Sequence, residues 1–255
     1  LIEGPVSSEA VHNASRLIEL WSTWVPQQFS PIEVTANDQT ENPGHTGSGK
    51  LMCFSGGVDS TYALAKNFHA TDEKIQLLTV HGMDYRKDDR SRFTKLLEKT
   101  SPARERFSED TILIWSNAYS EMKKRGVNTL HSFGFHLAGA LFLFENEYSA
   151  GAIAADNPDY LEVIRMPYGS NSISNRLLKN QRFGVETWGF DAPRSMKLGY
   201  LSEDAEILSS LTFCKDYSIR PDNCGVCPEC LRAKGIFVAE TGKVPNIFLI
   251  NDINI

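Results

Sequence analysis

The chain lacks any uninterrupted apolar run near the roughly 18 residues that would suggest a membrane span. Its longest, around Ala138 to Phe144, falls well short. It lacks an excess of basic charge. Lys and Arg number 26 against 32 Asp and Glu, a net charge of -6. That balance argues against nucleic acid as a partner, although it leaves room for a local basic groove. No internal repeat and no charged-then-apolar leader is visible. The chain begins at Leu1, which reads as a fragment or the ordered part of a longer chain. What remains is ordinary globular composition over 255 residues, 41% apolar and 23% charged. Collagen-like, coiled-coil and wholly disordered readings are excluded.

The first segment repeats apolar residues at helical spacing: Val11, Ala14, Leu17, Ile18, Trp21 and Trp24. Ser7 or Ser8 is the expected cap, and Pro26 and Pro31 stop the helix. An extended piece, Ile32 to Thr35, follows, and Asn37 to Gly49 reads as a polar linker. Beyond it, short apolar runs alternate with helical patterns. Strands are expected at Lys50–Phe54, Ile75–His81, Thr111–Trp115, Ala150–Ala155 and Val185–Trp188. Helices are expected at Asp59–His69, Arg90–Lys99, Ala118–Arg125 and Leu130–Asn146, and the tail Ile247–Ile253 is a candidate edge strand. This alternation implies an α/β fold, a doubly wound, mostly parallel five-stranded sheet. The expected divisions are a helix and linker over 1–47, an α/β domain over 48–205, and a cysteine-rich knuckle, helix and tail over 206–255 packed on the same domain.

Two glycine-rich loops compete as anion sites. Gly44 to Leu51 fits G-x-x-x-x-G-K, but Leu51 stands where a magnesium-binding hydroxyl should be, and a strand follows instead of a helix. It reads as a linker. Ser55-Gly56-Gly57-Val58-Asp59-Ser60-Thr61 has the right context, a strand before and a helix after. Its glycines let backbone N–H groups reach an anion, and the helix start favours negative charge there. Ser55, Ser60 and Thr61 add hydroxyls. Asp59 would repel phosphate unless a magnesium ion bridged the two; otherwise it is a plain helix cap.

The string Ser55-Gly56-Gly57-x-Asp59-Ser60 resembles the signature of the PP-loop (N-type) ATP pyrophosphatases. The resemblance implies an adenine nucleotide α-hydrolase-like fold, with ATP and Mg2+ bound at Ser55, Gly56, Gly57, Val58, Asp59, Ser60 and Thr61. It also implies adenine near Val80 and His81, at the end of the second strand.

Cys214, Cys224, Cys227 and Cys230 form the second constellation, C-x9-C-x2-C-x2-C. Four thiolates suit tetrahedral zinc, and Gly225 allows the tight turn between two of them. An iron–sulfur cluster and reduced structural thiols are the alternatives. Reduced thiols point to a cytoplasmic setting. Cys53, alone in the first strand, reads as a small buried hydrophobe.

Together the two motifs resemble the 7-cyano-7-deazaguanine synthases and their relatives, some of them in antiphage defence operons. The resemblance spans about Lys50 to Val238, and only its ends are specific. His81-Gly82-Met83-Asp84-Tyr85, His131 to His136 and Asp156-Asn157-Pro158-Asp159-Tyr160 depart from the family or only echo it. Tyr168 to Ser172 is an additional segment placed to form a substrate loop. The resemblance implies a ligase that adenylates a carboxylate like that of 7-carboxy-7-deazaguanine, releases pyrophosphate, and passes the acyl group to ammonia or a protein amine. Asp59, Ser60 and Lys197 are its expected catalytic residues, with Arg194 beside Lys197 as a second cation for pyrophosphate. Arg232 is expected near the metal, and His131 and His136 as partly buried residues. Phe133, Phe135, Phe142 and Phe144 are expected in the core and Arg176 on the surface. A tRNA-thiolating enzyme and a non-catalytic nucleotide-binding subunit of a defence assembly are the competing readings. A homodimer is a candidate assembly, with Trp21 and Trp24 available for an interface.

Overall fold

Lys50, at the start of the first strand, is in register with Ala150, a hundred positions on. That long-range parallel pairing defines the architecture. The computed structural model describes residues 6–40, 47–165 and 168–252. Its sheet holds β1 (Lys50–Cys53), β2 (Ile75–His81), β3 (Ser108–Trp115), β4 (Ala150–Ala154) and β5 (Val185–Trp188). They lie in the order β3-β2-β1-β4-β5, and each neighbouring pair is parallel. The chain therefore steps outward from β1 to β3 and then crosses back to β4. Such a reversal opens a crevice at the carboxyl ends of the two central strands, where open α/β sheets bind ligands.

Parallel strands need crossovers, and the helices provide them on both faces. One core packs β1, β2 and β4 against α2 (Val58–Thr71), α9 (Arg194–Leu201), α10 (Ala205–Ser209) and α11 (Pro228–Thr241). The other packs Leu51, Cys53, Leu78 and Ile153 against α6 (Thr129–Phe142). The alternation of faces along β1 explains its apolar sequence: Met52 enters one core, Leu51 and Cys53 the other. The fold class and the five strands agree with expectation, but some bounds do not. Helix α3 (Arg90–Lys99) runs into a further helix, α4 (Ser101–Phe107), whose start is marked by Pro102 in its first turn. The strand expected from Thr111 begins at Ser108. Helix α5 is Ala118–Lys124, and the short helices α7 (Asp159–Arg165) and α8 (Ser172–Asn175) lie between β4 and β5. The tail does not extend the sheet: Phe248 makes a single bridge to Asn223, and residues 253–255 lie outside the described residues. Lys50 of the rejected glycine loop sits in β1 and pairs with Glu186, while Gly44 lies outside the described residues.

Helix α1 (Ser8–Trp24) starts where Ser7 accepts a hydrogen bond from the Ala10 amide. Its buried Trp21 packs on His131 and Phe135 of α6. That contact accounts for both residues, and His131 also meets Gln28. No helix of the described residues is long and apolar enough to cross a membrane.

One backbone contact sets the position of the loop after α7. The Gly169 amide donates to Leu130 O at 2.9 Å. A Cβ on Gly134 would come within 2.0 Å of Gly169 O. Neither backbone can yield to a methyl group without moving the other. Gly134→Ala is expected to destabilise the protein by about 1–3 kcal/mol, the usual range for overpacking, in urea unfolding. Unchanged stability would show that the contact is slack.

Candidate functional site

The loop after β1 is held from both sides. Phe54 N donates to Leu78 O on β2, and Gly56 O accepts from Thr212 N. Gly56 takes φ +73, a left-handed backbone where its missing Cβ also matters, since one would lie 2.3 Å from Thr100 Cγ2. Inside the loop the Ser55 and Ser60 hydroxyls are 3.2 Å apart, Gly57 N donates to Ser55 Oγ, and Ser60 Oγ donates to Gly57 O. These weak, exchangeable bonds leave both hydroxyls and the Gly57 amide able to turn to an incoming anion.

Asp59, in the first turn of α2, accepts from two cations of the first turn of α9. Arg194 Nη1 lies 2.9 Å from one oxygen and Lys197 Nζ 3.0 Å from the other. Lys197 has no exposed surface. Its remaining contacts are a 2.6 Å bond to Ala155 O, just after β4, and the face of Tyr62 at 5.7 Å. One ammonium group thus ties together α2, α9 and the end of β4.

Asp156, the next residue after Ala155, was not expected at the site. Burial first, and then the Asp59 carboxylate, push its pKa up to about 7 against the pull of Lys197 and Arg194. The only sequence signal was the loose echo Asp156-Asn157-Pro158 after the fourth strand.

Two adjoining cavities meet at this loop. The first, about 370 Å³, is lined by Ser55, Gly57, Asp59 and Ser60 of the loop. Its lining also includes the carboxylates Asp84 and Asp156 and the apolar and aromatic side chains of Val80, Met83, Tyr119, Phe133, Ile153 and Tyr168. Such a volume and lining suit a planar heteroaromatic ring. Phe133, expected in the core, faces this cavity and meets Tyr168 edge-on at 5.2 Å. The segment from Tyr168 thus forms cavity wall. The second cavity, about 840 Å³, lies on the side of α9 and the cysteine knuckle, and is far more charged: Arg194, Lys215, Arg220 and Arg232 line it together with Asp59, Asp84, Asp156 and Glu229.

Other expected residues fall elsewhere. His81 is fully buried, stacks on Phe93 with centroids 4.3 Å apart, and places Nε2 2.8 Å from Arg86 O. It supports the packing beneath α3, whereas its neighbour Val80 lines the first cavity. Thr61 is also fully buried, within α2 behind the loop, so its hydroxyl does not face the cavities. Val58 is buried and contributes to the second cavity's wall. His136 meets Tyr119 edge-on. Phe142 and Phe144 pack on Phe183 and Tyr148, and Arg176 is exposed.

The four knuckle cysteines converge. All four Sγ atoms lie within 4.8 Å of one another. Cys214 and Cys227, and Cys224 and Cys230, are each 3.9 Å apart. Zinc–sulfur bonds of about 2.3 Å in a tetrahedron set sulfurs about 3.8 Å apart, so the four could hold a metal such as zinc. Backbone amides of Asp216, Val226 and Cys227 already point at the sulfurs. Burial works against ionising Cys227, but amide groups of Lys215 and Cys230 help bring its pKa down to about 6. Gly225 is obligatory: it has φ +86, and a Cβ there would meet Ile250 O at 2.0 Å.

Lys234, one helical turn beyond Cys230 on α11, is also fully buried. Its hydrogen bonds go to the carbonyls of Ile250 and Asp252. A Cβ on Gly225 would lie 3.2 Å from its Nζ, which puts the ammonium beside the cysteine turn. Four thiolates around a divalent ion would carry a net double negative charge, part of which Lys234 would offset.

No protein-family model, curated protein or solved structure matches this chain.

Two predictions follow from these charges. In ligand-free protein, folded Asp156 keeps its proton up to about 7, whereas the unfolded group releases it near its ordinary 3.8. The resulting contribution is fully present below the lower value and is lost as pH rises through the upper one. The stability of Asp156→Asn relative to wild type should therefore increase from pH 4 to pH 7 in urea titrations; a pH-independent difference would refute it. Lys234→Met, whatever the loss of its two carbonyl hydrogen bonds does to the metal-free protein, should reduce the rise in Tm on adding zinc. Equal zinc shifts in both proteins would show that Lys234 carries no part of the metal site's charge balance.

Proposed function

We propose that the protein is an ATP-dependent carbon–nitrogen ligase of the PP-loop type, with an adenine nucleotide α-hydrolase-like fold. It adenylates a substrate carboxylate and passes the acyl group to an amine. One observation carries this reading: the Ser55–Ser60 loop sits at the carboxyl end of a central strand, joined through Asp59 to two cations and opening onto an aromatic cavity. Topology supports it, because the loop lies at the switch point of the sheet.

In this reading the adenine ring occupies the first cavity beside Val80, Phe133 and Tyr168. The phosphates lie on the loop, with the Gly57 amide and the Ser55 and Ser60 hydroxyls as donors. A carboxylate oxygen attacks the α phosphorus. The bond from that phosphorus to the bridging oxygen breaks, and its electron pair leaves on pyrophosphate. Arg194, which lines the second cavity, meets the charge that develops there, and the buried Lys197 holds Asp59, and through it Arg194, in place. The amine then attacks the acyl carbon, AMP departs, and the amine loses a proton to solvent. An amine that arrives neutral needs no base for the attack. Magnesium fits this site with phosphate oxygens as most of its ligands, because Asp59 is already shared by two cations and Asp156 is the other carboxylate beside it. When bound it would supply charge neutralisation to the phosphates. The carboxylate substrate is of the 7-carboxy-7-deazaguanine type, and the acceptor is ammonia or a protein amine.

The tRNA-thiolating reading needs a reactive thiol at the loop. Cys53 does line the first cavity, but burial pushes its pKa up to about 12. A thiol at that value is inert at neutral pH.

The test is product analysis with ATP, magnesium and 7-carboxy-7-deazaguanine, with and without ammonia. AMP and pyrophosphate should form only when the acid is present, and Arg194→Gln should cut AMP formation by about 100-fold or more, the scale of losing one preorganised charge donor. Tight ATP binding with no AMP from any carboxylate offered would replace this reading with a nucleotide-binding role.

A further inference from the structure

The second cavity has a wall that the proposed chemistry leaves unused. Cys227 caps α11; the first turn of that helix carries Glu229, and Arg232 follows three residues on, over the same face. Glu229 is largely buried and is shared by two cations, Lys215 Nζ at 3.1 Å and Arg232 Nη2 at 2.5 Å. All three residues line the cavity. The arrangement repeats the one at the loop, where Asp59 is shared by Arg194 and Lys197. In each cluster one carboxylate orients two cations and neutralises only one of them. Each cluster therefore holds one more cation than carboxylate; of the other charged residues on this cavity Arg220 faces Asp84 and Asp156 is a further carboxylate, and Arg194 acts electrostatically on both shared carboxylates. Lys215 and Arg232 keep 67% and 51% of their side-chain surface exposed, so their remaining donors are open to a ligand. Their placement does not depend on a mobile loop. Lys215 follows Cys214 and Arg232 follows Cys230 by two residues, so the cysteine cluster anchors both.

We propose that Lys215, Glu229 and Arg232 form a second oxyanion subsite, which binds a phosphate-type group across the cavity from the Ser55–Ser60 loop. The knuckle then contributes to ligand binding as well as to folding. The group has two sources, the terminal phosphates of the nucleotide itself or an anionic group on the second substrate. The subsite's role beside the loop rests on the proposed nucleotide reading, but its own residues do not.

The test uses inorganic pyrophosphate as the probe and calorimetry as the readout on the full chain. Lys215→Gln/Arg232→Gln should weaken pyrophosphate binding by about tenfold or more, the scale of charge-assisted contacts to an anion. Glu229→Gln frees both cations and should tighten binding by roughly threefold, as expected for losing partly exposed ion pairs. A gain cannot arise from misfolding. Equal binding by all three proteins, or weaker binding by Glu229→Gln, would overturn the subsite. The same titration in protein saturated with an ATP analogue bearing a methylene between the α and β phosphorus identifies the source. Pyrophosphate that still binds, and depends on Lys215 and Arg232, marks a second-substrate site; competition marks the nucleotide's own terminal phosphates. Failure of wild type to bind the analogue at all would sink the nucleotide reading and leave the pyrophosphate comparison standing as a test of the subsite.

Discussion

The arrangement of the site depends on one ion pair, between Asp59 and the fully buried Lys197. A cation out of water is costly unless it is paired and hydrogen-bonded, and losing its partner costs about 3–5 kcal/mol. Lys197 meets both conditions with one carboxylate oxygen and one backbone carbonyl. Those partners come from α2 and from the end of β4, while the lysine itself comes from α9. Three segments far apart in sequence must therefore arrive together. The carboxylate that looked repulsive to phosphate in the sequence is what holds two cations at the loop.

The knuckle uses the same physics with different ligands. Four thiols in a small volume repel one another as they ionise, and a divalent cation removes that conflict. Lys234 is the counterpart of Lys197: a buried ammonium on a helix, bonded to carbonyls, beside a cluster of negative groups. It also ties the chain after β5 to its own end, because its partners are Ile250 and Asp252.

Elements with a strong local signal were legible in the sequence. The five strands are short apolar runs, the loop has a strand–glycine–helix context, and the cysteines are closely spaced. The residues that were missed depend on tertiary placement. Asp156 becomes unusual only because β4 delivers it beside Asp59. Phe133 looks like any core aromatic of α6 until the contact of Gly134 with Gly169 sets Tyr168 against it. His81 and Thr61 show the converse. Each is one position from a residue that does reach a cavity, yet the alternation of the strand and the turn of the helix point them inward. Helix α4 was hidden because its sequence, Ser-Pro-Ala-Arg-Glu-Arg-Phe, is mostly polar and carries a proline in its first turn.

The pairing of Lys50 with Ala150 also has a consequence for synthesis. The Ser55–Ser60 loop is translated immediately after β1, but one side of its crevice is built from β4 and another from α9. At roughly 5–20 residues per second, a ribosome needs about 4–15 seconds to travel from the first partner strand to the second. During that interval β1 can pair with β2 alone, and its other edge waits with unsatisfied amides and carbonyls. The nascent chain is then a sheet with one open central edge. Chaperone occupancy and the risk of wrong strand pairing should both be greatest in that window.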